Sequence, residues 1–262
     1  MSILTEKNGI IFETIQQQDI EATAACISNI MSKSEPITRA LQISEAEFHG
    51  FAIPYCHKAV KESVSLVAKD RQTGQIVGFI ISKDLMTWPP ERLEIPSDKF
   101  EPIFNLLEQL YRVAFKKLTF SPPVYPAYPY PAYPYPAYPY PAYPAYQAIT
   151  MESNLVLESI YKSKNFISQG EVLHIFLLGV VKNYANKNIA KTLIEVNLKL
   201  AKQRNFKAAI VEATGLASQH IFRSFGFQEE AAIKYKTYKF NNKKILSTIE
   251  NSEKCILMSA KI

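Results

Sequence analysis

A turn between an apolar segment and an amphipathic helix is the part of the chain best suited to binding an anion. The apolar segment runs from Leu173 to Val181, and the helix begins at Ile189. The first turn of such a helix leaves backbone N–H groups without partners, at the positive end of the helix dipole. Asn188 tolerates a left-handed backbone better than most residues, and Lys187 adds positive charge. This arrangement favours a phosphate site; the alternative is an ordinary connection that binds no ligand.

Apolar periodicity and breaker residues place this turn inside a mixed α/β domain. The first helix should stop at Ser34-Glu35-Pro36, because a residue that precedes proline avoids helical angles. Thr73-Gly74 separates two apolar runs and predicts a hairpin. The expected strands are Ile10–Ile15, Val64–Lys69, Ile76–Ser82, Leu173–Val181, Ala208–Val211, about Ala231–Phe240 and Cys255–Ile262. The expected helices are Asp19 (as N-cap) to about Met31, Ser44 to about Val60, Asp98–Lys117, Leu155–Lys162, Ile189 to Leu200 and a short one after Val211.

This order of elements, with its ending Phe222-Arg223-Ser224-Phe225-Gly226-Phe227, resembles the GNAT superfamily of acetyl-CoA-dependent N-acetyltransferases. The resemblance implies the GNAT fold in a single α/β domain over residues 1–262. That fold is a mixed, mostly antiparallel sheet that is splayed at its central strand and flanked by helices. Segment 85–168 falls outside the resemblance and is expected to be an insertion with extra helices.

The resemblance also implies acetyl-CoA (coenzyme A) as the cofactor, with its pyrophosphate on the turn before Ile189. The family pattern there is Arg or Gln, two residues, Gly, one residue, then Gly or Ala, and only Ala190 follows it cleanly. The matching positions are Ala185, Asn186, Lys187, Asn188, Ile189 and Ala190. In the family, backbone N–H groups at a bulge of the central strand polarise the thioester carbonyl. The matching residues are Gly179, Val180 and Val181, of which Gly179 would ease the bulge.

Glu35-Pro36, between the first two helices, is similar to the arylalkylamine N-acetyltransferase branch and most like the dopamine-type enzymes of insects. The resemblance implies that Glu35 is the general base. An amine is protonated at neutral pH and must lose a proton before it attacks a thioester, and a carboxylate in a pocket can take that proton. The alternative for Glu35 is a solvated loop carboxylate that only caps the next segment.

Two hydroxyl residues, Thr214 and Ser218, match positions that the branch places near the cofactor thiol. Their spacing of four predicts one shared helix face, from which one could protonate the departing thiolate. Thr214 could instead be a simple N-cap. Phe222 holds the position of the tyrosine that many acetyltransferases use as the acid. His174 matches the first of two strand histidines of serotonin N-acetyltransferases, but Phe176 holds the second position, so His174 is expected to be structural.

Composition argues against several other classes of protein. The 262 residues carry a net charge of +6 without a Lys/Arg-rich run, so no nucleic-acid partner is expected. No apolar run of about 18 residues occurs, so no membrane span is expected. Cys26, Cys56 and Cys255 lie far apart, which indicates reduced thiols in a cytoplasmic protein and no metal site. A monomer or a homodimer is expected.

Residues 122–147 form a Pro-Ala-Tyr low-complexity repeat, the Pro/Tyr-rich inserted loop of this chain. Its regular prolines exclude helix and central strand and favour a polyproline II rod. The repeat could bind an aromatic-lined groove or mediate self-association. Alternatively, it expanded at a surface loop that tolerates insertion.

Two functions from different classes remain open. The first is an N-acetyltransferase that transfers an acetyl group from acetyl-CoA to the amine of a small molecule, an arylalkylamine or a polyamine, by direct attack in a ternary complex. The second is a degenerate GNAT fold that binds acetyl-CoA or a partner without turnover.

Overall fold

The computed structural model describes residues 3–87, 96–116, 169–185 and 187–262. Those residues form eight strands and six α-helices. The strands are β1 (Ile3–Lys7), β2 (Ile10–Thr14), β3 (Leu66–Asp70), β4 (Ile76–Asp84), β5 (Val172–Val180), β6 (Ala208–Ala213), β7 (Gln228–Lys234) and β8 (Lys254–Lys261). The helices are α1 (Ile20–Ser34), α2 (Pro36–Ala40), α3 (Glu45–Glu62), α4 (Glu101–Lys116), α5 (Ile189–Gln203) and α6 (Leu216–Ser224). The predicted helix Leu155–Lys162 and the repeat 122–147 lie outside the described residues.

The eight strands form one sheet in the order β1-β2-β3-β4-β5-β6-β8-β7. Only β5 and β6 are parallel, and every other neighbouring pair is antiparallel. The β5–β6 ladder runs from Val172↔Ala208 to Ile175↔Val211 and stops there. Beyond it, β5 stays paired with β4 as far as Val180, and β6 stays paired with β8 as far as Ala213. The two halves of the sheet therefore separate at its centre, which confirms the splayed GNAT fold.

The bulge in β5 lies at Phe176, and not at Gly179 as predicted. Ile81 pairs with Leu177 and Ser82 pairs with Ile175, so Phe176 is the extra residue. Gly179 has a different role, because a Cβ there would lie 2.6 Å from the ring of Phe79. The missing side chain lets the Phe79 ring pack directly against β5.

Helices cover both faces of the sheet. One core cluster joins β-strand residues such as Leu173 to Ile189 and Leu193 of α5. On the opposite face, Ile27 of α1 and Phe51 of α3 pack against alternate strand residues. α4 lies beside β7 and β8 and contributes to a third cluster. Between α4, α3 and the separated end of β5 the packing leaves an open cavity.

One predicted cap and one predicted strand end differ from the structure, each because a tertiary contact decides the local structure. Asp19 is the N-cap residue of α1, as predicted, but its side chain makes no capping hydrogen bond. Its carboxylate instead accepts a hydrogen bond from Lys69 Nζ at 2.7 Å, and Glu13 accepts a second one at 2.6 Å. β7 ends at Lys234 instead of Phe240, because the chain turns there and buries Tyr238, whose hydroxyl donates to the Pro102 carbonyl at 2.8 Å.

Candidate active site

A cavity of about 370 Å³ lies where β5 and β6 separate. Its walls come from the α1–α2 connection, α3, α4, the second half of β5, and the turn that leads into α6. It brings together seven of the residues predicted for the site: Glu35, Gly179, Val180, Ala190, Thr214, Ser218 and Phe222. These residues are spread over more than 180 positions of the sequence, and the splayed sheet places them around one space.

Glu35 connects α1 to α2 and reaches the cavity. Its extended backbone (φ −77°, ψ 126°) ends α1, and Pro36 begins α2, as the sequence predicts. One carboxylate oxygen, Oε2, accepts the Thr38 N–H at 2.5 Å and caps α2. The other, Oε1, is buried and has no hydrogen-bond partner among the described residues. The carboxylate is thus held in place by one oxygen while the other stays available to a ligand.

Of the three backbone N–H groups of β5 that were predicted as donors, only that of Val180 points away from β4. Val181 N–H donates to the Val77 carbonyl at 2.9 Å, so it belongs to the sheet and is not a free donor. Because backbone groups alternate in direction along a strand, Gly179 N–H also points towards β4. Leu178 and Val180 N–H point instead to the side that β6 has left. Val180 fits the predicted role, and Leu178 was missed.

The turn after β5 has the geometry of an anion site. Asn188 has a left-handed backbone (φ 59°), as the sequence suggested, and it is the N-cap of α5. Lys187 is exposed, and its Nζ lies 4.6 Å from the centroid of the Tyr184 ring. Ala185 is exposed, Ile189 is buried in the core, and Asn186 lies outside the described residues. The start of α5 thus offers unpaired N–H groups and one cation to a phosphate.

Thr214 and Ser218 do not share a helix face. α6 begins at Leu216 with Gly215 as its N-cap, so Thr214 lies before the helix and is not the cap. Ser218 Oγ donates to the Gly215 carbonyl at 2.8 Å and accepts the Gly215 N–H at 3.2 Å. Thr214 is held through its carbonyl, which accepts the Tyr235 hydroxyl at 2.7 Å. Both hydroxyl residues still line the cavity.

Phe222 is buried beside this turn and packs edge-on against Phe227, with ring centroids 5.1 Å apart. Its ring lines the cavity, so no phenol is available at this position.

A second carboxylate, Glu212, lines the cavity and was missed by the sequence analysis. Its Oε1 accepts the hydroxyl of Tyr111 from α4, and its Oε2 lies 2.7 Å from Nε2 of His174 on β5. Burial acts to raise the pKa of Glu212, but the interaction with His174 and the hydrogen bonds from His174 and Tyr111 outweigh it and lower the pKa below its usual range. In the sequence, this pair was indicated only by a single Glu in the apolar run of β6 and a single His in β5.

The rest of the cavity wall is apolar and rich in phenylalanine. The rings of Phe51 and Phe100 stack at a centroid distance of 4.8 Å, and Phe176 stacks on Tyr55 at 4.6 Å. Phe48 and Phe104 complete this aromatic wall. Among the described residues that line the cavity, the ionisable side chains are Glu35 and Glu212, and none is a Lys, Arg or His.

Comparison with known proteins agrees with this architecture. Residues 123–227 match the sequence model of the Acetyltransferase (GNAT) family. Over this segment the chain is similar in sequence to that family, and its splayed sheet is the GNAT fold. No curated protein sequence gives a significant match.

Solved structures with the same fold include enzymes of amine acetylation. Arylalkylamine N-acetyltransferase 2 from Aedes aegypti is 19% identical with a TM-score of 0.60, over 97% of this chain and 99% of that one. A polyamine N-acetyltransferase from Drosophila melanogaster is 15% identical with a TM-score of 0.56, over 97% and 100%. The C-terminal condensation domain of Ebony, in complex with beta-alanyl-dopamine, is 12% identical with a TM-score of 0.68, over 97% and 99%. At these identities the likeness concerns the fold.

No described helix combines the length and apolar character that a membrane crossing needs. No cluster of three or more His, Cys, Asp or Glu side chains in the described ranges could hold a metal ion.

Proposed function

We propose that the protein transfers an acetyl group from acetyl-CoA to the primary amine of a small molecule with an aromatic body. The observation that carries the proposal is that one cavity is lined both by Glu35, whose Oε1 has no hydrogen-bond partner among the described residues, and by the part of β5 that β6 has left. Such a site needs no covalent enzyme intermediate, because the amine can attack directly once it has lost a proton.

The cavity wall favours a cationic, aromatic acceptor. Two carboxylates and no described cation line it, so an ammonium is attracted, whereas the carboxylate of an amino acid finds no partner. The stacked rings around Phe51 and Phe176 match an aromatic ring better than the extended polar chain of a polyamine. An arylalkylamine is therefore the acceptor class that we favour.

The start of α5 and the open edge of β5 would hold the coenzyme. The N–H groups after Asn188, with Lys187, would bind the pyrophosphate, and Ala190 would lie beside it. Bound acetyl-CoA supplies an activated acetyl thioester. Val180 N–H would hold the carbonyl oxygen of the acetyl group, in the manner of an oxyanion hole.

Glu35 would act as the general base and Thr214 as the general acid. Glu35 Oε1 is the free oxygen that would accept the proton of the ammonium, while Thr38 keeps the carboxylate in place through Oε2. The Ser218 hydroxyl already donates to Gly215. The Thr214 hydroxyl has no hydrogen bond to the described residues, so it is the freer donor towards the departing sulfur.

Acetyl-CoA turnover over a panel of amines, followed by release of free thiol, tests the proposal. We expect turnover with 2-phenylethylamine to exceed that with agmatine by at least about tenfold, and none with phenylalanine. Coenzyme binding without turnover of any amine would favour the second function, a GNAT fold that binds without catalysis. The loss of the family side chain at Ala185 and of the phenol at Phe222 favours that alternative.

The setting of the reaction is part of the proposal. Cys26, Cys56 and Cys255 are free thiols, and the last two are buried, which suits a reducing cytoplasm. We propose that the protein acts there as a monomer or homodimer, on a small molecule and without a nucleic-acid or membrane partner.

A further inference from the structure

We propose that Glu212 is a second acceptor-binding residue, which holds the ammonium of the substrate by its charge and is itself positioned by Tyr111 and His174. The inference deepens the proposed function and rests on it for the identity of the ligand. It starts from a buried carboxylate that lines the cavity and forms no ion pair with a described Lys or Arg.

The hydrogen bonds of Glu212 fix the state of its neighbour. An ionised carboxylate only accepts hydrogen bonds, so the 2.7 Å contact requires His174 Nε2 to carry the hydrogen. His174 Nδ1 is buried and has no partner among the described residues. His174 therefore donates to the Glu212 carboxylate through Nε2, and this contact holds the carboxylate in place.

Glu212 has no permanently charged partner among the described residues, because His174 is the cation in contact with it. The side chain of Glu212 is only 6% exposed, and no described Lys or Arg forms an ion pair with it. Buried charges are normally paired, because removing an ion from water costs several kcal/mol. Since Glu212 lines the cavity, a cationic ligand bound there can provide a permanent positive charge.

Both carboxylates line the same cavity. Burial raises the pKa of the Cys255 thiol, and the charges of Glu212 and Glu35 raise it further, so both carboxylates lie within electrostatic reach of this thiol. The aromatic wall, with Phe48, Phe51 and Phe100, lies on the α3 and α4 side. An aromatic amine would place its ring against that wall and its ammonium between the two carboxylates.

The two carboxylates would then have different roles in binding and proton transfer. Glu35 Oε1 has no hydrogen-bond partner among the described residues and can accept the proton of the ammonium. Glu212 already accepts one hydrogen bond on each oxygen, and its lowered pKa keeps it ionised at neutral pH. It is therefore suited to hold a charge and not to exchange a proton.

Calorimetric titration of the full chain, saturated with coenzyme A, separates binding from turnover. The probes are 2-phenylethylamine and its neutral counterpart 2-phenylethanol. We expect the wild type to bind the amine at least about tenfold more tightly, the effect of one charge-assisted hydrogen bond. Glu212→Gln should lose most of this preference. The control Glu250→Gln, an exposed residue that does not line the cavity, should keep it within about threefold.

Several outcomes would overturn the inference. The inference is wrong if the Glu212→Gln protein keeps the wild-type preference for the amine. It is also wrong if the wild type binds the amine and the alcohol equally, or binds neither. If Glu212→Gln does not fold, Glu212→Asp serves instead, because it keeps the charge and should retain part of the preference for the amine. A folded Glu212→Asp protein that shows no preference for the amine counts against the proposal. A wild type that prefers the amine but shows no turnover would refute the proposed function and leave this inference standing.

Discussion

The proposed site has two halves that are built differently. Its coenzyme half would consist mainly of backbone: the open edge of β5, the left-handed turn at Asn188 and the first N–H groups of α5. The acceptor half consists of side chains, namely Glu35, Glu212 and the aromatic wall. A backbone-built site tolerates sequence change, because any residue with the right φ and ψ supplies the same N–H groups. A degraded phosphate motif is therefore compatible with a working site, whereas the acceptor half depends on single side chains.

The largest effect is expected at Glu35. Glu35→Gln preserves the size of the side chain but removes the proton acceptor, so turnover should fall by about 10²–10⁴-fold, the usual worth of a general base. Coenzyme affinity should stay unchanged, because Glu35 belongs to the other half. Steady-state rates and a coenzyme titration measure the two effects, with Glu250→Gln as the matched control. Turnover within twofold of the wild type would reject the assignment.

The coenzyme half should lose its affinity for coenzyme A only when its backbone is changed. Proline fixes φ near −65° and lacks an N–H, whereas Asn188 has φ 59°. Asn188→Pro should therefore abolish measurable coenzyme binding in a calorimetric titration. Asn188→Gly, which keeps the left-handed turn, should bind within about threefold of the wild type. Equal affinities for the Pro and wild-type proteins would show that the pyrophosphate binds elsewhere.

An aromatic substitution should affect the acceptor half in a graded way. Phe176→Leu removes a stacked ring but keeps an apolar side chain, so KM for 2-phenylethylamine should rise about 2- to 10-fold, in line with about 0.5–1.5 kcal/mol for an aromatic contact. kcat should change little. Phe240→Leu, outside the cavity, is the control, and rate measurements over amine concentration provide the readout. An unchanged KM would show that the ring of the acceptor does not reach this wall.

The smallest effect is expected when the family side chain is restored at Ala185. This residue is exposed, and an exposed ion pair contributes only about 0.2–1 kcal/mol. Ala185→Arg should thus tighten coenzyme binding by no more than about fivefold, and the neutral Ala185→Ser should leave it unchanged. A gain in coenzyme affinity of 100-fold or more would show that this half depends on side chains and not mainly on backbone.

Local sequence determined much of the framework. Glu35-Pro36 ended α1 and began α2 because proline restricts the residue before it, and Ser44 began α3 through a capping box with Glu47. Asn188 adopted the left-handed turn for which its side chain is suited. These features depend on neighbours a few residues away, so a single sequence suffices to predict them.

Other features depended on contacts that no local pattern encodes. The bulge at Phe176, the hydrogen bond that commits Val181 to β4 and the position of Thr214 outside α6 follow from how β5 pairs and where β6 leaves it. The proposed role of Glu212 depends on Tyr111, 101 residues earlier in the chain, and on His174, 38 residues earlier. In the sequence Glu212 is one acidic residue in an apolar strand. Only the tertiary structure places it at the end of the parallel ladder, where it meets a phenol, an imidazole and a cavity, because such contacts are set by packing between distant segments.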